Sequence, residues 1–372
     1  MHSVEKIEKV LIVGLGLIGG SLTKVIKKHY PHITVVGADP DRRSIELALK
    51  DKAIDEPISD VRHLGYFDLM FICSPVMNVI ASAKKYIKYL RLGGIITDVG
   101  SAKETIVRDL DCLNDRGYNF IGGHPMAGSE KWGYENSTDD LFYGSYYVLT
   151  PTSRTETSAY LKLYEFISGL GARVVTLDAR EHDFAVAITS HLPQLISTSL
   201  VRLAMEQSKS EGSLKLLAAG SFKDVTRIAS GNPEIWKHIL IENSSLVKRA
   251  LDLFINQLNE FGERVSKKNE SEIIDYLASS RNFREEIIES STKKEEIATI
   301  KVKVMNRPGE LGRILGKIGS KGINIEDVEI VHHPEEGYGV MSIMVNGNTN
   351  FEKAHALMKI LGVLIEDGQE VS

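Results

Sequence analysis

The spacing of apolar positions changes twice along the chain, and each change marks a change of architecture. In the first half, short runs apolar at successive positions (10–13, 34–38, 69–73, 95–98 and 120–121) alternate with helical patterns. Continuous apolarity suits strands covered on both faces, so the alternation predicts an α/β, doubly wound parallel sheet of Rossmann type. Runs at 146–149 and 173–176 are candidates to extend that sheet. From about Glu181 the period becomes helical, with candidate helices at 183–205, 214–219, 222–229, 234–263 and 270–288. Pro233, after Gly231 and Asn232, is well placed at a helix start.

The charged stretch 290–296 reads as a linker, and beyond it the period returns to two at 300–304. A turn at 306–309 leads to a helix with Leu311, Ile314, Leu315 and Ile318 on one face, ended by Gly322. Strands at 327–331 and 340–345, a helix at 351–361 and a strand at 363–365 complete a βαββαβ order, that of a small, independent ferredoxin-like α+β module. The expected division is 1–178 for the sheet domain, 179–290 for an all-helical domain and 298–369 for the terminal module.

Composition narrows the function classes. A formal net charge of −5 with interspersed signs provides no field for nucleic acid or anionic lipid, so neither is expected as a partner. Residues 1–9 are polar, without the apolar region of a signal peptide, and no apolar run approaches membrane-spanning length. Cys73 and Cys112 lack metal spacing, and His332 and His333 have no acidic or cysteine ligands at useful spacing, so no metal is expected. A cytoplasmic, reduced protein is the resulting expectation, with Cys73 a buried strand residue.

Gly14-Leu15-Gly16-Leu17-Ile18-Gly19 follows a predicted strand and opens a predicted helix, and Asp39 ends the second strand twenty residues after Gly19. This is the context a dinucleotide fingerprint needs: a tight turn at the first glycine, close approach of the pyrophosphate at the second, and helix–strand packing at the third. Asp39 would accept hydrogen bonds from the adenosine ribose and repel a 2′-phosphate, which favours NAD over NADP. Arg42 and Arg43 are the residues that would suit such a phosphate instead. Ser74 and Pro75 follow the run at 69–73 and Ser101 the run at 95–98, at the carboxyl edge where ligands lie in open α/β sheets. Ser101 then borders the nicotinamide or is a plain loop serine.

The residues Gly122 to Glu130, Gly-Gly-His-Pro-Met-Ala-Gly-Ser-Glu, place His124 at a strand end in a glycine-rich turn. A neutral imidazole beside a nucleotide cradle can take a proton as a hydride leaves the substrate.

Together these segments resemble the prephenate and arogenate dehydrogenases of tyrosine biosynthesis. The resemblance is carried by residues 14–21, Asp-Val-Gly-Ser-Ala-Lys at 98–103, the turn at 122–130, Ser190-His191-Leu192-Pro193-Gln194 and Asp224-Val225-Thr226-Arg227-Ile228-Ala229. The last 70 or so residues resemble an ACT module, a small-molecule regulatory domain. The resemblance implies NAD-dependent oxidative decarboxylation of prephenate to 4-hydroxyphenylpyruvate, with arogenate the other substrate it allows. It also implies a helical substrate and dimerisation domain, hence a homodimer.

Under that resemblance His124 accepts the hydroxyl proton and Ser101 hydrogen-bonds to it. Arg227 pairs with a substrate carboxylate, and Asp224, three residues earlier, could hold the guanidinium in place. His182, Gln194, Gly220 and Trp236 fall around the substrate pocket, with Glu130 gating or polarising it. Gln194 stands where relatives carry histidine, and His191 is as well read as a buried, satisfied residue. In the ACT module, Asn306, Pro308, Gly309, Leu311, Asn324 and Ile325 match an amino-acid site, with L-tyrosine the candidate inhibitor and Gly309 freeing backbone amides for its carboxylate. Two other readings compete: a β-hydroxyacid dehydrogenase, and a silent amino-acid sensor that keeps the Rossmann domain as scaffold.

Overall fold

In the computed structural model, described over residues 7–59, 65–128, 131–210, 212–292, 297–305, 307–333 and 338–366, the first half builds one eight-stranded sheet. Its strands are β1 Lys9–Val13, β2 Thr34–Ala38, β3 Glu56–Pro57, β4 Phe67–Ile72, β5 Leu90–Asp98, β6 Asn119–Pro125, β7 Tyr146–Thr150 and β8 Arg173–Thr176. The order is β3-β2-β1-β4-β5-β6-β7-β8. β1 to β6 run parallel, β7 turns antiparallel to β6, and β8 follows β7 in parallel. The central strands are apolar on both faces because α1 Leu17–His29, α2 Arg42–Lys50, α3 Val79–Tyr86, α4 Glu104–Leu110 and α5 Thr157–Ser168 accompany them. Val10, Ile12, Leu69 and Phe71 belong to one core cluster; Leu11, Val13, Met70 and Ile72 belong to another. Such alternation between two cores is what a strand buried on both sides requires.

The helical half comprises α6 Ala179–Val186, α7 Leu192–Gln207, α8 Ser213–Leu217, α9 Gly220–Thr226, α10 Pro233–Glu242, α11 Ser244–Ser266 and α12 Glu270–Thr292. A π-helical turn over Ala187–His191 joins α6 to α7. Pro193 accounts for it: without an N–H, proline cannot continue the regular ladder, and the wider turn absorbs the fault. The helix expected over 234–263 is two, because Asn243 leaves helical geometry at φ −100° and ψ 24° between α10 and α11. α12 also runs to Thr292, past the expected start of a linker.

The stretch 179–207 is long and apolar enough, by length and composition alone, to cross a membrane, contrary to the expectation that no run approaches that length. Its polar residues argue for a protein interior: His182, Asp183, His191 and Gln194 are all buried within it.

The terminal module has strands β9 Ile297–Met305, β10 Ile325–His333, β11 Tyr338–Asn346 and β12 Ile365–Glu366, and helices α13 Glu310–Gly319 and α14 Asn348–Ile360. The βαββαβ order is as expected, with an antiparallel sheet ordered β10-β11-β9-β12. The module is not independent. Leu311, Ile314, Leu315 and Ile318 of α13 share one core with Tyr160, Leu163 and Ile167 of α5 and Val174 of β8. Glycines permit the approach: a Cβ on Gly319 would lie 1.6 Å from the Thr176 carbonyl oxygen, and one on Gly312 2.9 Å from that of Thr152.

Candidate active site

Gly14, at φ +99°, takes the left-handed conformation that a tight strand-to-helix turn demands, and its amide donates to the Ala38 carbonyl at 2.7 Å. A Cβ on Gly19 would lie 1.8 Å from the Gly14 carbonyl oxygen, so helix α1 reaches its strand only through a glycine. A Cβ on Gly16 would meet nothing within 4 Å. That open space is part of a cavity of about 880 Å³ lined by Gly14, Gly16, Leu17, Ile18, Asp39, Ser74, Pro75, Ser101 and His124. Two packed glycines and one facing a void are what a bound pyrophosphate needs, so the fingerprint fits a dinucleotide. Leu15 and Gly19 stand behind the wall rather than in it, both buried. Asp39 accepts the amides of Leu15 at 2.6 Å and Asp41 at 2.7 Å, which locks the turn while keeping the carboxylate at the cavity. Cys73, expected inside a strand, follows β4 and lines this cavity; burial raises its thiol pKa, which leaves it unreactive.

Gly122 and Gly123 are strand rather than turn. β6 continues through His124 and Pro125, with His124 opposite Val148 of β7. The glycines are needed laterally: a Cβ on Gly122 would meet Thr150 Oγ1 at 2.3 Å, and one on Gly123 the Asp98 carbonyl oxygen at 2.7 Å. Beneath them Lys103, fully buried, ion-pairs with Asp98 and donates to the Gly123 carbonyl at 2.8 Å.

His124 Nδ1 lies 2.8 Å from His182 Nε2, and His182 Nδ1 lies 2.8 Å from Asp183 Oδ1. The two Asp183 oxygens also accept the amides of Lys103 at 2.6 Å and Glu104 at 2.8 Å, at the start of α4. The tautomers follow from the carboxylate. Asp183 can only accept, so His182 carries its proton on Nδ1 and presents a lone pair at Nε2; His124 must then donate from Nδ1, and its own lone pair sits on Nε2. Desolvation first, then the neighbouring His182, Lys103 and His191, hold the His124 pKa well below the ordinary histidine range. At neutral pH the ring is a neutral acceptor at the wall of the cavity.

His182, expected around the substrate pocket, is buried and engaged with His124 and Asp183. Ser101 shares the cavity wall with His124, but among the described residues the ring hydrogen bond of His124 goes to His182. His191 is the satisfied core histidine: Asn243 Nδ2 lies 3.2 Å from its Nδ1 and also donates to the Asp183 carbonyl at 2.7 Å, and Trp236 packs edge-on at 6.1 Å. Burial lowers the His191 pKa to about 4. Sequence reading assigned no role to Lys103 or Asn243, whose polar neighbours, Ser101 and Glu104 for the lysine and Glu242 and Ser244 for the asparagine, gave no local signal of burial.

The other expected substrate contacts do not meet at the cavity within a single chain. Gln194 is buried in α7, while Gly220, Asp224 and Arg227 are exposed. α9 ends at Thr226 and Arg227 opens a 3-10 turn, its amide donating to the Asp224 carbonyl. From the helical half the cavity receives Ile235, His238 and Ile239 of α10. Glu130 and Asn306 lie outside the described residues. In the terminal module Pro308 is exposed, Leu311 and Ile325 are buried and Asn324 is half-buried. The Gly309 amide is not open to a ligand: it donates to the Thr155 carbonyl at 3.0 Å, and a Cβ there would lie 2.2 Å from the Ser153 carbonyl oxygen.

Comparison with known proteins agrees with this layout. Residues 22–176 match the model of the prephenate dehydrogenase nucleotide-binding domain, 178–279 that of the prephenate dehydrogenase dimerization domain, and 300–365 an AHAS small subunit-like ACT domain. The prephenate dehydrogenase of Bacillus subtilis is 29% identical over 357 residues, covering 93% of this chain and 94% of the relative. That of Lactococcus lactis subsp. cremoris is 31% identical over 333 residues, 87% of this chain and 92% of the relative. Among solved structures, prephenate dehydrogenase from A. aeolicus in complex with hydroxyphenyl propionate and NAD+ superposes with a TM-score of 0.71 at 33% identity, over 76% of this chain and 99% of that one.

Proposed function

The chain belongs to the prephenate dehydrogenase family, an NAD-dependent oxidoreductase with a C-terminal ACT domain, and from that premise we propose that it converts prephenate to 4-hydroxyphenylpyruvate, carbon dioxide and NADH. The observation that carries this reading is the placement of His124, whose Nδ1 is tied to His182 while its ring lines the cavity of the nucleotide fingerprint. Gly14, Gly16 and Asp39 would hold NAD, with Gly19 packing α1 behind them, and the cofactor would supply the hydride acceptor.

His124 Nε2 takes the proton of the ring hydroxyl as its carbon gives up hydride, leaving a carbonyl. The C–C bond to the ring carboxylate then breaks, its electron pair aromatises the ring, and the former carbonyl oxygen becomes a phenolate. The proton held on His124 returns to that oxygen, so the reaction closes with no net proton taken up. Ser101, at the same wall, is positioned to hydrogen-bond the reacting oxygen. The exposed guanidinium of Arg227 suits a substrate carboxylate, with Asp224, Gly220, Gln194, Trp236 and Glu130 assigned to the surrounding pocket.

The division at 1–178, 179–290 and 298–369 assigns cofactor binding, substrate binding with dimerisation, and regulation to successive parts. Exposed Leu253 and Leu258 on α11 and Ile274 and Leu277 on α12 support a homodimer formed through the helical part. The ACT domain is assigned feedback inhibition by L-tyrosine, at a site including Pro308, Leu311, Asn324 and Ile325.

The deciding experiment follows NADH formation from prephenate and, separately, arogenate, in the wild type and in His124→Asn, with and without tyrosine. Prephenate turnover that falls by about a hundredfold or more in His124→Asn, with KM changing less, is expected. Near-normal turnover in that variant removes His124 from the chemistry; preference for arogenate, or indifference to tyrosine, overturns the substrate or the regulatory assignment separately.

A further inference from the structure

The buried pair Lys103–Asp98 touches the backbone just before His124 and, through the Lys103 amide, the carboxylate behind its ring partner. Asp98 Oδ2 accepts the Gly100 amide at 2.8 Å and Asp98 Oδ1 the Gly123 amide at 3.2 Å, which fastens the loop carrying Ser101 to β6. The Lys103 ammonium, ion-paired with Asp98, donates to the carbonyl of Gly123, the residue before His124. The Lys103 amide donates to Asp183, and Asp183 orients His182, which orients the His124 ring. One residue therefore reaches His124 by two routes: through its side chain to the backbone, and through its main chain to the ring.

We propose that Lys103 is a positioning residue for His124. This inference rests on the catalytic reading of His124 given above. A buried ion pair is a poor choice for stability alone, since apolar residues of similar volume commonly serve as well or better. Here each charge has a geometric task. The carboxylate gathers the amides of Gly100 and Gly123, and the ammonium spans from Asp98 at the end of β5 to the Gly123 carbonyl of β6. The charge has a second consequence. Around the imidazole stand His182 and Asp183 from α6, His191 from the π-helical turn, Asp98 from the end of β5 and Lys103 from the start of α4. The cation among them favours the neutral ring, the form that can accept the substrate's proton.

The test uses Lys103→Met in the full chain, with His124→Asn measured alongside. The expected result is a kcat lowered by about tenfold or more, NAD affinity by fluorescence within about twofold of wild type, and an acid limb of the kcat profile moved to higher pH. A merely structural role would lower NAD affinity and Tm together without moving that limb, and would overturn the proposal. If Lys103→Met does not fold because Asp98 is left buried and uncompensated, Asp98→Asn with Lys103→Met removes both charges. A folded double variant with a kcat lowered about tenfold supports the proposal; one with full turnover overturns it. An inactive His124→Asn beside a normal Lys103 variant rejects the Lys103 inference alone, while an active His124→Asn rejects the reading beneath it.

Discussion

His182 Nε2 faces His124 Nδ1 at 2.8 Å, and the carboxylate of Asp183 on the opposite nitrogen of His182 decides which ring donates. The pair joins residues 58 positions apart in the chain, one on the last strand of the parallel array and one on the first helix of the following half. Asp183 is itself fixed by two backbone amides from the start of α4. The chain from amide to carboxylate to imidazole to imidazole gives His124 a defined proton on one nitrogen and a defined lone pair on the other.

Replacing His182 with phenylalanine keeps a ring of similar size and removes the acceptor. His124 is then free to adopt either tautomer, and kcat should fall by roughly tenfold to a hundredfold, with the KM for NAD little changed. Steady-state kinetics with each substrate varied would show the split; an unchanged kcat would show that the tautomer is set elsewhere.

The fingerprint glycines should separate by function. Gly19→Ala places a methyl 1.8 Å from the Gly14 carbonyl oxygen, so α1 must shift and Tm should fall. Gly16→Ala meets no protein atom within 4 Å, so Tm should hold while the KM for NAD rises by about tenfold or more as the methyl enters the space of the pyrophosphate. Equal loss of Tm in both variants would mean that the void at Gly16 is not a ligand space.

Acid should destabilise the fold in a defined window. His191 has its pKa lowered to about 4 by burial first, against about 6.5 in the unfolded chain. The unfolded state therefore binds the proton more readily, and stability rises with pH across the interval. The contribution is fully present above about 6.5 and is lost as pH falls toward about 4, on the order of 3 kcal/mol at most. His124, also lowered by burial first, acts in the same direction. Tm measured against pH should fall across this range, and less steeply in His191→Gln; parallel curves would remove His191 as a source.

Docking of the ACT domain depends on glycine at its first loop. Gly309 sits at φ +82° with the Ser153 carbonyl oxygen 2.2 Å from where a Cβ would stand. Gly309→Ala should cost about 1–3 kcal/mol in stability and expose the segment around 152–155 to limited proteolysis. An unaltered cleavage pattern and Tm would show that the contact with Thr155 is dispensable.

Several features were legible along the chain because they are local. The fingerprint with Asp39 needs only a strand, a turn and a helix in succession, and the glycine conformations that make the turn are properties of neighbouring residues. The βαββαβ order of the terminal part was readable from its period for the same reason. Gly122 and Gly123 misled because glycine signals a turn locally, whereas here it admits Thr150 and the Asp98 backbone from adjacent strands. The single helix expected over 234–263 missed Asn243, whose side chain leaves the helical register to reach Asp183 and His191.

The residue order by itself determined the nucleotide-binding sheet, the helical half and the terminal α+β unit, since period and turn chemistry act over a few residues. Tertiary structure alone decided that His182 serves His124 and that Lys103 holds both. It also decided that the ACT loop spends its amide on Thr155. Those outcomes depend on distances between segments far apart in sequence, where burial makes every unpaired charge or donor costly and the fold must bring partners from elsewhere to satisfy it.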